Sequence, residues 1–246
     1  MITESFDNMS DAIICPPRQE KTIKCDVVIA SFSGEIESYV VKKFNATKIC
    51  ELPYINAPAP IFVLDYQGKR FGFYKTPVGA PPSVIMLEDV ANIFDCDKFL
   101  VFGSAGTLDK TCHRKVVVPT YAYRDEGTSY HYAKAEDYIE IKNHKTVSDF
   151  MAKYNIPFKE GKTWTTDAVY RETNNNFLKM QQAGCISVDM ECSAMQAVCN
   201  YRNLNLYYFF LSGDLLDAPE WDKNGLKEAN HNLQNFDIAL RLACEL

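Results

Sequence analysis

The sequence lacks any apolar stretch near the roughly 20 residues that a membrane-spanning helix needs, so no helical membrane anchor is expected. It also lacks C-x-x-C. The nine cysteines, at 15, 25, 50, 96, 112, 185, 192, 199 and 244, are an odd and scattered set that argues for free thiols rather than a disulfide scaffold or structural zinc. Cys192 and Cys199 are seven residues apart and share a helix face, but no histidine or carboxylate stands at ligand spacing and the four histidines are dispersed, so no metal is expected. Basic charge is short as well. With 26 Lys and Arg against 32 Asp and Glu the net charge is -6, the wrong balance for gripping a nucleic-acid backbone. The opening MITESFDNMSDAII lacks the basic start and apolar run of a secretory leader, from which a cytoplasmic location is expected. G-x-G-x-x-G is missing, so no dinucleotide fingerprint is present.

What is present is 246 residues, 47% of them apolar, enough to bury one large core. No repeat, low-complexity tract or linker divides the chain, and a single domain over 1–246 is expected. Residues 1–24, broken by Pro16 and Pro17, read as a separate arm or lid. Runs rich in β-branched and aromatic residues predict strands at 26–30, 61–66, 70–75, 98–103, 115–120, 185–190 and 206–212. Helical periodicity predicts helices at 37–44, 83–94, 146–154, 174–183, 192–202 and 226–245. The alternation implies an α/β fold with a largely parallel sheet flanked by helices. Gln67-Gly68-Lys69 suits a hairpin, so the sheet is expected to be mixed.

Three motifs lie where strands are expected to end, the place where open α/β sheets bind ligands. Phe102-Gly103-Ser104-Ala105-Gly106 offers small residues and a hydroxyl that let backbone N–H groups approach an anion or a sugar, or else forms a tight strand-exit turn. SVDMECSA, from Ser187 to Ala194, carries Asp189 and Glu191; Ser212-Gly213-Asp214 places a further acid after an apolar run. Asp189 and Asp214 read equally well as N-caps of a following helix or turn.

With VVIASFSGE (27–35), VGAPPS (78–83), VFGSAGTL (101–108), VVVPTYAYRDEGTSYHY (116–132) and TTDAVY (165–170), these motifs follow one another in an order that resembles the purine/uridine nucleoside phosphorylase family, including the methylthioadenosine/S-adenosylhomocysteine nucleosidases. The resemblance runs from about Val27 to the C-terminus and implies cleavage of an N-ribosyl bond with no metal or organic cofactor. Glu191 matches the residue that accepts hydrogen bonds from the ribose hydroxyls, Met190 the one that packs on the sugar beside Val188, and Asp189 a helper on the 2′ side. Asp214 matches the acid that protonates the purine N7, which favours a purine over uridine. Ser104, with Gly103 and Ala105, falls at the phosphate or sugar. Val169 replaces the aromatic residue that stacks on the base, leaving Tyr170 or Trp164 to supply that face, unless these belong to the core. The resemblance also implies a homo-oligomer, because sites in the family borrow residues across subunits.

Phosphorolysis is the commoner activity in that family and is the first expectation, with phosphate as co-substrate. The arginines that would hold phosphate are nevertheless missing: GEIES (34–38) and Val101 stand at two of their places, and 54–59 lacks a third. Arg124 or Arg171 would have to substitute. Glu35 falls where the nucleosidases carry the glutamate that activates water, which makes hydrolysis the alternative; Glu35 also suits the first turn of a helix. Arg124, Asp125 and Glu126 read either as a charged loop or as the site's rim. From a different class, a non-catalytic nucleoside-binding or storage relative fits the lost arginines.

Overall fold

In the computed structural model, residues 1–16, 23–216 and 223–246 are described, without the side chains of 223, 224 and 226. The strands are β1 (Ile23–Lys24), β2 (Val27–Ser31), β3 (Thr47–Leu52), β4 (Ala59–Tyr66), β5 (Lys69–Lys75), β6 (Phe94–Asp95), β7 (Lys98–Thr107), β8 (Val116–Asp125), β9 (Tyr138–Glu140), β10 (Phe158–Thr166), β11 (Cys185–Asp189) and β12 (Asn205–Leu215). The helices are α1 (Gly34–Lys43), α2 (Ala80–Ile93), α3 (Ser129–Tyr132), α4 (His144–Lys153), α5 (Asn174–Gln182), α6 (Cys192–Arg202), α7 (Lys223–His231) and α8 (Gln234–Ala243).

Ten strands form one mixed sheet in the order β11-β10-β8-β12-β7-β2-β5-β4-β3, with β9 on β8. Strand β2 runs parallel to β5 and β7, and β7 parallel to β12, whereas β3, β4 and β5 form an antiparallel meander. The end of β11 also pairs antiparallel with β7, Ser187 to Thr107 and Val188 to Gly106, so β7, β12, β8, β10 and β11 close into a ring. Continuous apolar runs arise because the central strands are covered on both faces. Along β2, Val28 and Ala30 face a core with Val84, Leu87, Met195 and Val198 of α2 and α6, while Val27 and Ile29 face Ile36, Val40, Phe150, Phe236 and Leu240 of α1, α4 and α8. The architecture is the expected single α/β domain with a mixed sheet flanked by helices.

Local chemistry sets the element ends. Ser33 caps α1, its Oγ accepting from the Ile36 N–H at 3.3 Å, with Glu35 and Glu37 in the first turn and Lys42 and Lys43 in the last. The hairpin between β4 and β5 turns on Gln67 (φ 50°) and Gly68 (φ 77°), the left-handed pair that a two-residue loop of right-twisted strands requires.

Several expectations change. The GSAG stretch is not a turn: β7 continues through it to Thr107. Strand β12 likewise runs on past Asp214, which therefore stands within the strand and not at its end. The helix expected at 226–245 breaks between His231 and Gln234. Strands β3, β9 and β10 were not expected, because TKICEL is a charged edge strand, YIE is very short, and FKEGKTWTT reaches the sheet interior through threonines instead of aliphatic residues. Of the expected arm, a short 3-10 turn at Ile2–Glu4 and β1 are described, and 17–22 lie outside the described residues.

Candidate active site

Segments far apart in the chain meet at the C-terminal ends of the strands, around a cavity of about 280 Å³. Its wall is formed by Phe32 after β2, Val78 before α2, Ser104, Ala105 and Gly106 on β7, Val169 and Glu172 after β10, Val188 to Glu191 at the β11–α6 junction, Asp214 on β12 and Asn230 on α7. Four of these residues are acids. Among the described wall residues none is a lysine or an arginine.

The two acids of SVDMECSA have different surroundings. Asp189 is buried, and its carboxylate accepts from Thr163 Oγ1 at 2.7 Å, Thr165 Oγ1 at 3.2 Å, and the backbone N–H groups of Glu191 and Cys192 at 2.9 and 2.7 Å. It ties the strand end to the first turn of α6 and fixes the direction of the chain that carries Met190 and Glu191. Burial raises it to about pKa 6 against the lowering effect of those bonds. Glu191 is equally buried, and its Oε1 accepts from the Gly79 N–H at 2.6 Å. Gly79 holds φ 102°, a left-handed geometry that disfavours side chains, which explains the glycine of VGAPPS. Burial, then the charge of Asp189, pushes Glu191 up to about 8.

Asp214 is buried between the β7 backbone and β11: a Cβ at Gly106 would lie 3.4 Å from its Oδ1 and 2.9 Å from Val188 Cγ1. Its carbonyl accepts from Thr107 Oγ1 at 3.0 Å. Gly103 does not line the cavity. It is kept small by the ring of Phe32, 2.8 Å from where its Cβ would be. Ser104 Oγ donates to Asn230 Oδ1 at 2.6 Å.

The structure thus brings together Ser104, Ala105, Val169, Val188, Asp189, Met190, Glu191 and Asp214 from the expected set. It does not bring Glu35, which is exposed on the first turn of α1 and absent from the cavity wall, as its helix-start position requires. Tyr170 is 92% exposed and absent from the cavity wall, while Trp164 is a core residue whose Nε1 donates to Asp125 Oδ2 at 2.9 Å. Arg124 cannot substitute for a phosphate-binding arginine. It is buried, with its guanidinium donating to Ser129 Oγ and to the carbonyls of Ala133, Lys134 and Glu136, and it stacks on Tyr130. Arg171 is exposed and off the wall. Glu126 packs into the protein, accepting from Ser129 N–H and Ser193 Oγ.

Glu172 was missed. It falls between the TTDAVY motif and the helix expected at 174–183, in polar surroundings that carry no motif, and only the fold places it on the cavity wall. Burial, then the charges of Asp214 and Asp189, raise it to about 7. Phe32, Val78 and Asn230 were also missed as site residues, although Phe32 and Val78 lie within the motifs at 27–35 and 78–83.

A second, largely apolar cavity of about 720 Å³ shares Phe32 and Val78 with the first and is walled by 53–60, Lys75, Ile85 and Met86 among others. Among the described residues no group of His, Cys, Asp and Glu is placed to hold a metal ion, and no helix is long and apolar enough to cross a membrane.

Residues 26–245 match the family model described as the phosphorylase superfamily. The chain belongs to that family. Among its relatives are a purine nucleoside phosphorylase DeoD-type of an Exiguobacterium species, 23% identical over 190 residues (75% of this chain, 77% of that one), and the uncharacterized protein R802 of Acanthamoeba polyphaga mimivirus, 24% identical over 179 residues (71% and 70%). The same fold occurs in the Campylobacter jejuni 5′-methylthioadenosine/S-adenosyl homocysteine nucleosidase (TM-score 0.72, 15% identical, covering 90% of this chain and 100% of that one). It occurs also in the Toxoplasma gondii purine nucleoside phosphorylase solved with immucillin-H (TM-score 0.72, 18% identical, covering 96% and 97%).

Proposed function

We propose that this protein cleaves the N-ribosyl bond of a purine nucleoside, with water as the nucleophile. The observation that carries the reading is the convergence of Glu191, Met190 and Asp214 on one cavity at the strand ends. Breaking a ribosyl–base bond builds positive charge on the sugar and negative charge on the base. In this reading Glu191, held by Gly79, accepts from the ribose hydroxyls, Met190 packs on the sugar, and Asp214 delivers the proton to the departing base, a contribution of about 10²–10⁴ in rate. The growing cation on the sugar draws nearby acids toward their ionised form, so Glu191, raised by burial, becomes a stronger acceptor as the bond breaks.

The choice of water rests on charge. A phosphate dianion would enter a space bounded by Glu172, Asp189, Glu191 and Asp214 with no lysine or arginine among the described wall residues, so it would have to bind without a counter-charge or keep these acids protonated. Water carries no such penalty, Ser104 with Asn230 offers neutral hydrogen-bonding groups to orient it, and the proton it loses on attacking the sugar passes to a carboxylate of the wall, balancing the one Asp214 gives to the base. Phosphorolysis is the second reading, favoured by the names of the relatives, and would need a cation from outside the described wall.

The deciding experiment supplies adenosine, inosine and methylthioadenosine with and without phosphate. Free ribose formed in phosphate-free buffer is the expected product. Ribose 1-phosphate, formed only when phosphate is present, would replace water with phosphate in the proposal. No base release from any of them would point to the non-catalytic, nucleoside-binding alternative.

A further inference from the structure

The cysteines are scattered along the chain, yet the fold sets two of them side by side. Between β1 and β6, Lys24 stands opposite Asp95, and between β2 and β7, Val28 stands opposite Phe99, a constant step of 71 residues across two parallel pairings. The same step joins Cys25 to Cys96, in the short gap between the two ladders. Residues opposite one another on parallel strands project to the same face, and neighbouring strands lie about 4.8 Å apart, inside the roughly 4.4–6.8 Å between Cα atoms that a disulfide spans. Both thiols are free and half-buried, and their side chains hydrogen-bond to each other. Cys112, Cys185, Cys192 and Cys199 are buried.

The two thiols are chemically unequal. The Lys98 N–H donates to Cys96 Sγ at 3.4 Å, and in its thiol form that sulfur donates to the Asp26 and Lys98 carbonyls, each at 3.5 Å. The bond from Cys25 holds the Cys96 thiol below its usual range, while the same bond, then burial, raises Cys25. Cys25 lines an open cavity of about 420 Å³ together with Lys24, Asp26, Asp65, Lys69 and Arg70. Arg70 pairs with Asp65 at 2.9 Å, and Asp26 Oδ2 accepts from the Arg70 N–H at 2.8 Å, which leaves the two lysines as cations for an anionic visitor.

We propose that Cys25 and Cys96 form a redox site, closing to a disulfide by exchange with an anionic low-molecular-weight disulfide and reopening in the presence of reducing thiol. Cys96, as the thiolate, attacks one sulfur of the external disulfide. A new S–S bond forms, the external one breaks, and the leaving thiolate takes up the proton that Cys96 gave. Cys25 then loses its proton and attacks Cys96 Sγ, expelling the second external thiolate, which takes up that proton. Two protein thiols are oxidised and one external disulfide is reduced to two thiols. A half-exposed bond of this kind stays open to the reverse exchange. It closes the chain from 25 to 96, the stretch that carries Phe32, Val78 and Gly79, and fastens β1 to β6. The pair stands at the starts of β2 and β7 while the active-site cavity lies at their far ends, so the site does not depend on what that cavity cleaves.

The test equilibrates the intact chain with graded mixtures of reduced and oxidised glutathione, alkylates the thiols that remain free, and maps the peptides without reduction by mass spectrometry. The expected result is a Cys25–Cys96 linkage that grows with the oxidised fraction and vanishes on adding dithiothreitol. The linked protein should melt roughly 5 °C or more above the reduced protein, because the loop from 25 to 96 is closed in the unfolded chain. Cys25→Ser and Cys96→Ser should each abolish the linkage and that rise, and in Cys25→Ser the remaining Cys96 should be recovered as a glutathione adduct. Recovery of Cys25 and Cys96 as alkylated thiols in the most oxidising mixture overturns the proposal. So do two separate glutathione adducts in the wild type, or linkage of either residue to another cysteine. A melting temperature that rises equally in Cys25→Ser overturns the fastening of β1.

Discussion

The two ends of the cavity, which the proposed function assigns to the sugar and to the base, are built differently. At the sugar end, Asp189 and Glu191 sit on a buried strand–helix junction where side chains and backbone N–H groups from β10, α6 and the turn before α2 hold them. At the base end the wall comes from the segment after β10, where Val169 is 45% exposed and Tyr170 nearly fully so, facing Asp214 on the strand opposite. The sugar end is thus assembled by the fold itself, whereas the base end is a loop laid against it. A ribose is common to every nucleoside and the base is not, so a fixed sugar end with a variable base end is the arrangement in which one scaffold changes substrates by changing one segment.

The sharpest break in that comparison comes from Asp214. Asp214→Asn is expected to lower kcat by about 10²–10⁴ while leaving the melting temperature close to wild type, read by base release and thermal unfolding. Unchanged turnover would remove the acid from the base end. Glu191→Gln should cost roughly tenfold or more in kcat/KM, since a neutral amide replaces a charge-assisted acceptor of the ribose hydroxyls.

The same variant sharpens the comparison through pH. Asp189, Glu172 and Glu191 are raised from 3.8, 4.5 and 4.5 to about 6, 7 and 8. The unfolded chain therefore releases these protons first, and the stability they contribute is complete below about pH 4 and is lost as pH rises through the folded values. The melting temperature is expected to fall between pH 5.5 and 8.5, and Glu191→Gln to flatten that slope. A slope that survives the substitution unchanged would place the burden elsewhere. Gly79→Ala forces a side chain into φ 102° and disturbs the N–H that Glu191 accepts; the expected loss is about 1–2 kcal/mol of stability with a several-fold fall in kcat/KM. The smallest effect belongs to Thr165→Val, which removes one of several bonds to Asp189 and should cost about 1 kcal/mol in denaturant unfolding with little change in base preference.

This difference also governed what the sequence could disclose. Glu191 and Asp214 were legible as candidates through the ordered motifs that carry the resemblance, because an acid after an apolar run is by itself often the cap of a helix or turn; the structure places both on the cavity wall. Glu35 was legible as an acid but not as to its surroundings: Ser33 captures the helix start, and the turn it opens carries Glu35 outward. Glu172 was illegible, since the polar residues around it would look the same on any surface loop. The ring closure through β11 and β7 could not be anticipated either, because it joins residues 80 or more positions apart and rests on two paired residues. Strand β10 hid behind a lysine-rich, glycine-containing sequence whose buried half is made of threonine and tryptophan.

The bond from Gly79 to Glu191 spans 112 positions of the chain, and that from Ser104 to Asn230 spans 126. Loops of this length close late and slowly compared with the helices and the β4–β5 hairpin, which need only local contacts. During refolding the far-ultraviolet signal should therefore recover well before the ability to bind a nucleoside. A ligand present from the start has no complete pocket to enter until those closures are made, so it should slow unfolding more than it speeds folding.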